Sequence, residues 1–165
     1  MSETNKSLYS REDTRKFLRD RVARPGGSGI AAFNSEGKVL LVKAFYKDYW
    51  SFPGGWIESG QTPLDAAILE LEEETGLTVK RESLNLSFML NRHSEIMQSY
   101  QFIFKTSTVI TKDMLSDIKL QDDEITDFKF ASREEILENL DDYSVTVGIW
   151  AKDEGRSYYE LDVPA

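Results

Sequence analysis

The apolar residues between Thr62 and Gly76 recur with the period of a helix. They fall at i, i+3, i+4 and i+7, namely at Leu64, Ala67, Ile68 and Leu71. This spacing predicts an amphipathic helix that buries one stripe. Thr62 suits the N-cap, Pro63 the first turn and Asp65 a reciprocal cap, while Gly76 suits the helix stop.

The rest of the chain alternates between strand and helix patterns. Strands are predicted at 30–33, 38–46, 84–90, 100–105 and 124–130, and helices at 10–22 and 132–140. Residues 145–151 fit either a helix or a strand. Residues 25–29 lack the Lys-Ser/Thr of a phosphate-binding loop, so we expect a linker there. Strands on both sides of a helix predict an α/β sandwich.

Composition favours one compact domain over residues 1–165. The chain is 40% hydrophobic, contains no Cys and one His, and carries a net charge of −9. These values exclude disulfides, zinc–thiolate sites and multi-histidine sites, and they argue against long nucleic acid as a partner. No stretch resembles a signal peptide or a membrane span, so we expect a cytoplasmic protein without membrane contact.

Three glutamates mark the C-terminal half of the central helix. Glu70, Glu73 and Glu74 lie at i, i+3 and i+4 and so share one side of it. Like charges at these spacings cost about 0.2–0.5 kcal/mol per pair. A bound Mg²⁺ or Mn²⁺ would reverse that cost, because hard cations take carboxylate oxygens. A solvated acidic face is the alternative, and the helix alone does not separate the two.

The loop before this helix favours the cation site. It reads Trp-Ser-Phe-Pro-Gly-Gly over residues 50–55, and its glycines allow a ligand to approach the backbone. Residues 55–77 resemble the signature of the Nudix hydrolase (MutT-like) family. The matching positions are Gly55, Glu70, Leu71, Glu73, Glu74, Gly76 and Leu77. Two positions depart, with Gln61 where the family has Glu and Leu69 where it has Arg.

The resemblance implies a Nudix-type α/β/α sandwich with a mixed sheet. It also implies cleavage of the pyrophosphate bond in a small nucleotide, a nucleoside diphosphate linked to X, by water and Mg²⁺ or Mn²⁺. Carried over by position, Glu70, Glu73 and Glu74 are the catalytic carboxylates and metal ligands, and Gly55 adds a carbonyl ligand. Glu124 is a weaker candidate for the base. The alternative is a noncatalytic Nudix-fold module that binds a nucleotide or has a regulatory role. The departures at Gln61 and Leu69 favour this alternative.

Substrate identity is less specified by the sequence. Lys43 is either a phosphate contact or an ordinary lysine at the end of a strand. An aromatic residue near the glycine turn is a candidate for stacking on a base. Aromatic residues in such positions more commonly belong to the core. His93, in a polar loop over 91–95, is expected at the surface. The basic segment 11–24 favours a solvated helix, and a homodimer is left open.

Overall fold

Alternating and continuous apolar runs form a seven-stranded sheet in a computed structural model of the chain. The structure describes residues 10–19, 21, 23–95 and 97–162. The strands are β1 Gly26–Asn34, β2 Val39–Ala44, β3 Gly54–Trp56, β4 Leu84–His93, β5 Gln98–Ile110, β6 Ile125–Ala131 and β7 Tyr158–Asp162. The helices are α1 Arg11–Arg19, α2 Pro63–Thr75, α3 Lys112–Ser116, α4 Arg133–Glu138 and α5 Val145–Lys152.

The sheet is mixed, as the sequence predicted. Its strand order is β6-β2-β1-β5-β4-β7, and β3 pairs with the first half of β1 beside β2. The pairs β1–β5 and β4–β7 are parallel, and the other pairs are antiparallel. This arrangement brings Ser28 of β1 beside Gly55 of β3 and Phe102 of β5.

Helices cover both faces of the sheet, which confirms the α/β/α sandwich. On one face, Ala67 and Leu71 of α2 pack against Ile30 and Leu40. The opposite face joins α4 and α5 to the sheet through Leu41, Phe88, Ile136, Val147 and Trp150. Successive strand residues point to opposite faces, so β2 supplies Leu40 to one layer and Leu41 to the other.

Several predicted boundaries differ from the observed ones. Helix α1 ends at Arg19 rather than residue 22, and residues 20 and 22 lie outside the described part of the chain. Helix α4 ends at Glu138, and a short 3-10 helix follows at Leu140–Asp142. The ambiguous segment 145–151 is helical, because the Ser144 hydroxyl caps α5.

The prediction of a linker over residues 25–29 was wrong. Gly26–Gly29 instead form the first half of β1, between β3 and β5. A Cβ atom on Gly29 would lie 2.9 Å from the Pro53 carbonyl oxygen, so glycine permits this close strand pairing. The predicted polar loop at 91–95 is also shorter, because β4 continues to His93. None of the described helices combines the length and apolarity needed to cross a membrane.

Candidate functional site

Helix α2 begins and ends where its sequence predicts. The Thr62 hydroxyl accepts a hydrogen bond from the Asp65 amide at 3.2 Å, and Asp65 also pairs with Arg81. At the other end Gly76 has φ 73°, and its N–H donates to the Glu72 carbonyl at 2.7 Å. These caps fix the start and stop of the helix, and with them the direction in which each glutamate points.

The three glutamates of the motif lie at different depths. Glu74 is buried with 3% of its surface exposed, Glu70 is half-buried and Glu73 is exposed. The helix turns by about 100° per residue, so positions 70 and 74 lie at the margin of the buried stripe while position 73 faces solvent. Leu69 is 40% exposed and lies outside the stripe, as predicted.

Two glycines of β3 bring the backbone against the buried glutamates. The Gly54 amide donates a hydrogen bond to Glu74 Oε2 at 2.8 Å. Gly54 has φ 155°, and a Cβ atom there would lie 2.6 Å from the Gly29 Cα atom. A Cβ atom on Gly55 would lie 2.6 Å from the Glu70 carboxyl carbon. Both positions therefore require glycine, the first for backbone packing and the second for the Glu70 carboxylate.

Burial raises the pKa of both inner carboxyl groups. Desolvation is the larger cause for Glu74, whose pKa rises to about 8 although the Gly54 hydrogen bond opposes the rise. Desolvation also raises the pKa of Glu70, with repulsion from Glu73 and Glu124 adding to it. The protein thus places charged groups where their ionised forms are disfavoured without a cation.

The donor chemistry of this cluster fits a hard divalent ion. Glu70, Glu73 and Glu74 offer carboxylate oxygens, which Mg²⁺ and Mn²⁺ prefer, and a cation would favour their ionised forms. Among the described residues, no three carboxylate or imidazole groups converge closely enough to enclose an ion as they stand. Side chains at i, i+3 and i+4 are neighbours on a helix, so the three carboxylates occupy adjoining positions of α2.

A cavity of about 660 Å³ opens beside the glycine turn, and we call it the glutamate cavity. Its charged lining consists of Glu58, Glu70, Glu124, Lys47 and Arg92. Its aromatic lining includes Tyr46, Tyr49, Trp56 and Tyr143. The combination of carboxylates, two cations and exposed rings suits a ligand with both phosphate and base.

Glu124 belongs to this cavity. It precedes β6, and its carboxylate accepts a hydrogen bond from the Tyr46 hydroxyl at 2.7 Å. Its negative charge also contributes to the raised pKa of Glu70 and Glu74. Glu124, the weaker candidate for the base, is therefore close enough to interact electrostatically with Glu70 and Glu74. The Tyr46 hydroxyl orients its carboxylate.

Other residues singled out in the sequence lie elsewhere. Lys43 is not among the described residues lining the cavity, because strand alternation places it on the Leu41 face, where its Nζ atom is 5.7 Å from the Trp50 ring centre. Its contact with phosphate stays a prediction. His93 is half-buried at the end of β4, with Nε2 3.4 Å from Asn91 Nδ2.

Gln61 has a local role in the loop before α2. The side-chain oxygen of Gln61 accepts a hydrogen bond from the backbone amide of Glu58 at 2.9 Å. The backbone amide of Gln61 donates a hydrogen bond to the Glu58 carbonyl at 3.1 Å. The amide side chain thus closes the turn that a carboxylate would also close. Leu69 adds no charge or donor to the glutamate cluster.

Sequence reasoning missed the two cations that line the cavity. Lys47 follows β2 and opposes the raised pKa of both Glu70 and Glu74. Arg92 lies in the part of β4 that had been assigned to a loop. Asn91, Arg92 and His93 are consecutive polar residues, so no alternation signals a strand at Arg92, and Lys47 carries no signal beyond its proximity to the glycine turn.

Comparisons with known proteins identify the family of the chain. A NUDIX domain profile matches residues 23–147. An uncharacterized Nudix hydrolase of Listeria innocua is 30% identical over 140 residues, which cover 77% of this chain and 78% of that protein. An RNA pyrophosphohydrolase of Psychrobacter is 51% identical over 49 residues, covering 30% of this chain. The chain spans only 28% of the length of that relative.

A solved structure shares the fold. A Francisella tularensis bifunctional NMN adenylyltransferase/ADP ribose pyrophosphatase, complexed with AMP and a Mn ion, has a TM-score of 0.60 at 20% identity. That match covers 79% of this chain and 41% of the other. The profile covers most of the chain and includes α2, the glycine turn and the strands that hold them. The chain belongs to the Nudix (NUDIX domain) family.

Proposed function

We propose that this protein is a metal-dependent hydrolase that cleaves the pyrophosphate bond of a nucleoside diphosphate linked to X. The observation that carries the proposal is the placement of Glu70 and Glu74 against Gly54 and Gly55, beside a cavity lined by aromatic rings. Relatives named as pyrophosphohydrolases, and a neighbouring fold holding AMP and Mn, support it.

The residues divide the work of the reaction between them. Glu70, Glu73 and Glu74 would hold Mg²⁺ or Mn²⁺, with the Gly55 carbonyl as a further oxygen ligand. When bound, the ion neutralises phosphoryl charge and lowers the pKa of water. Glu124, oriented by Tyr46, accepts the proton of the attacking water at its carboxylate.

The remaining lining groups bind the substrate. Lys47 and Arg92 contact phosphate oxygens, because both cations line a cavity that is otherwise acidic. Trp56, which is 52% exposed, and Tyr49 offer ring faces on which a base stacks. The cytoplasmic location stays a prediction from the sequence, which left the X group and a homodimer open.

The test is a substrate panel with Mg²⁺ or Mn²⁺. It contains ADP-ribose, a dinucleoside polyphosphate, nucleoside triphosphates and a short RNA with a 5′-triphosphate, with product identification by chromatography. We expect turnover only of compounds with a phosphoanhydride bond, and none of AMP. Efficient hydrolysis of phosphomonoesters, or full activity in EDTA, would contradict the proposal.

Matched variants of α2 assign the activity to the site. Glu74→Gln should lower turnover by at least about a hundredfold, while Glu72→Gln, an exposed neighbour, should leave it within about twofold. Equal losses in both variants would remove the site from the reaction. Nucleotide binding without turnover anywhere in the panel would make the noncatalytic module the better description.

A further inference from the structure

A second cavity lies on the face of the sheet that α4 and α5 cover, and different residues of α5 line this cavity and the glutamate cavity. It encloses about 410 Å³ between the end of β1, the middle of β4 and the loop that follows α5. Its floor is formed by Phe33, Phe88, Trp150 and Tyr159, and its rim carries Lys105, Arg133, Arg156 and Asp153. We call it the basic cavity. It shares no lining residue with the glutamate cavity.

The charge of this rim is opposite to that of the protein. Three cationic side chains and one carboxylate line the cavity, although the chain carries a net charge of −9. Lys105 forms no ion pair with any described residue, and Arg156 reaches only Glu154, at 3.7 Å. The rim thus keeps cationic groups available to a ligand, because surface pairs of this length contribute little.

Arg133 is held in a fixed position on the rim. Its guanidinium lies 4.5 Å from the centre of the Trp150 ring, and its Nη1 atom is 2.6 Å from Asp153 Oδ2. Asp153 has a left-handed backbone conformation with φ 43°, which brings its carboxylate back from the end of α5. A planar cation fixed by an aromatic ring and a carboxylate is preorganised for an anion with two oxygens.

Two irregularities of the sheet shape the cavity. The register of β4 against β5 shifts between Leu86 and Phe88, which leaves Ser87 as an extra residue that lines the cavity. The register of β1 against β5 also shifts, between Ala31 and Phe33. Bulges interrupt pairing and re-aim side chains, and they are frequent beside binding sites. Both shifts lie at this cavity.

We propose that the basic cavity binds a small phosphomonoester whose planar, apolar part lies on the aromatic floor. Guanidinium and ammonium groups recognise the phosphate, and the hydroxyl of Ser87 is available as a further donor. The volume suits a mononucleotide rather than a polymer. The site is distinct from the one proposed for pyrophosphate hydrolysis, since the two cavities share no lining residue.

The tryptophans provide separate reporters for the two cavities. Trp150 lies under the basic cavity and Trp56 lines the glutamate cavity. Phe52 of the glutamate cavity packs edge-on against Trp150, so the two indole N–H signals in a ¹⁵N–¹H spectrum are read together, and a ligand of the basic cavity shifts Trp150 without Trp56. The metal-free full-length protein is titrated with AMP, with inorganic phosphate and with adenosine at low salt. We expect AMP to shift the Trp150 signal saturably, and phosphate and adenosine each to bind at least about tenfold more weakly.

Charge variants complete the test. Lys105→Gln combined with Arg156→Gln should weaken AMP binding at the Trp150 signal by about tenfold or more and leave the Trp56 signal unchanged. Lys152→Gln, an exposed charge on α5 outside the cavity, is the control and should change nothing. The proposal is wrong if Trp150 does not respond to millimolar AMP, if phosphate alone binds as tightly as AMP, or if the double variant binds AMP normally.

Discussion

The glutamate cavity and the basic cavity place charge in opposite ways. The first has the half-buried Glu70 in its lining, and Glu74 on the same helix is almost fully buried and bonded to a backbone amide. The second holds Lys105 and Arg156 at the surface, over a floor of aromatic rings. Burial makes an ionised group costly, whereas an exposed charge costs little.

The glutamate cavity places more constraints on the surrounding structure than the basic cavity does. The glutamate cavity depends on two adjacent glycines and a capped helix, and it adjoins a buried carboxyl group whose pKa is raised. The free energy of unfolding should therefore depend on whether a cation is bound there. The basic cavity needs only sheet irregularities and one fixed arginine. Substitutions at the glycine turn should therefore affect stability strongly, whereas substitutions of Lys105 and Arg156 on the rim of the basic cavity should affect binding alone.

The largest effect is expected at the glycine turn. Gly54→Ala would bring its Cβ into the backbone of Ser28 and Gly29, so the free energy of unfolding should fall by about 3 kcal/mol or more. Gly55→Ala meets only the end of the Glu70 side chain, so it should remain folded and lose activity. Urea denaturation and turnover measure the two variants, and Gly60→Ala serves as a control for left-handed glycines. Equal stability of the two turn variants would contradict the packing described for Gly54.

A second, intermediate effect concerns pH. The folded-state pKa of Glu74 is about 8, above its ordinary value of 4.5, so the folded protein holds the proton more tightly than the unfolded chain. This contribution to stability is full below pH 4.5 and is lost as pH rises towards about 8. In EDTA, wild-type stability should therefore fall by more than about 1 kcal/mol across that window.

Glu74→Gln separates this burial cost from metal binding. The variant should remove most of the pH dependence, exceed wild type in stability at pH 8 without metal, and gain nothing from Mg²⁺. Urea midpoints between pH 5 and 8.5 measure it, with Glu72→Gln as the exposed control. A wild type whose metal-free stability is flat over this range would contradict the burial of an ionisable Glu74.

The smallest effect is expected at the two departures from the family motif. Leu69 is 40% exposed, so an ion pair between the arginine of Leu69→Arg and a neighbouring glutamate should contribute only about 0.3–0.5 kcal/mol. By orienting that glutamate, the substitution should raise turnover at saturating Mg²⁺ by roughly twofold. Gln61→Glu keeps the acceptor for the Glu58 amide and should be nearly neutral alone. Slower turnover of Leu69→Arg would mean that Leu69 belongs to a repacked, competent site.

The predictable parts of this molecule are those encoded by local spacing. The caps and the buried stripe of α2 depend on residues within one helix, so Thr62, Leu71 and Gly76 were assigned correctly. The first half of β1 was missed because glycines without side chains resemble a linker, and only the close approach of Ile57 to Gly26 and of Pro53 to Gly29 explains them. Tertiary contact, not sequence, distinguishes such a strand from a loop.

The site shows the same division. The spacing of Glu70, Glu73 and Glu74 predicted a shared side of the helix, but not which of them is buried. The order of burial depends on β3, whose pairing with β1 is long-range. The basic cavity could not be predicted, because Lys105, Arg133 and Arg156 come from three separate parts of the chain. The bulge that helps to shape the cavity they surround depends on strand pairing.

The last strand has a consequence for how the chain tolerates shortening. Strand β7 pairs in parallel with the second half of β4, Met89 to His93, and so covers the backbone amides and carbonyls of that half. The exposed face of β7 carries Glu160 and Asp162, charges of the kind that discourage edge-to-edge association. Ending the chain before Tyr158 would leave β4 as a bare ten-residue edge open to aggregation. The short C-terminal strand thus protects colloidal stability as well as supplying Tyr159 to the floor of a cavity.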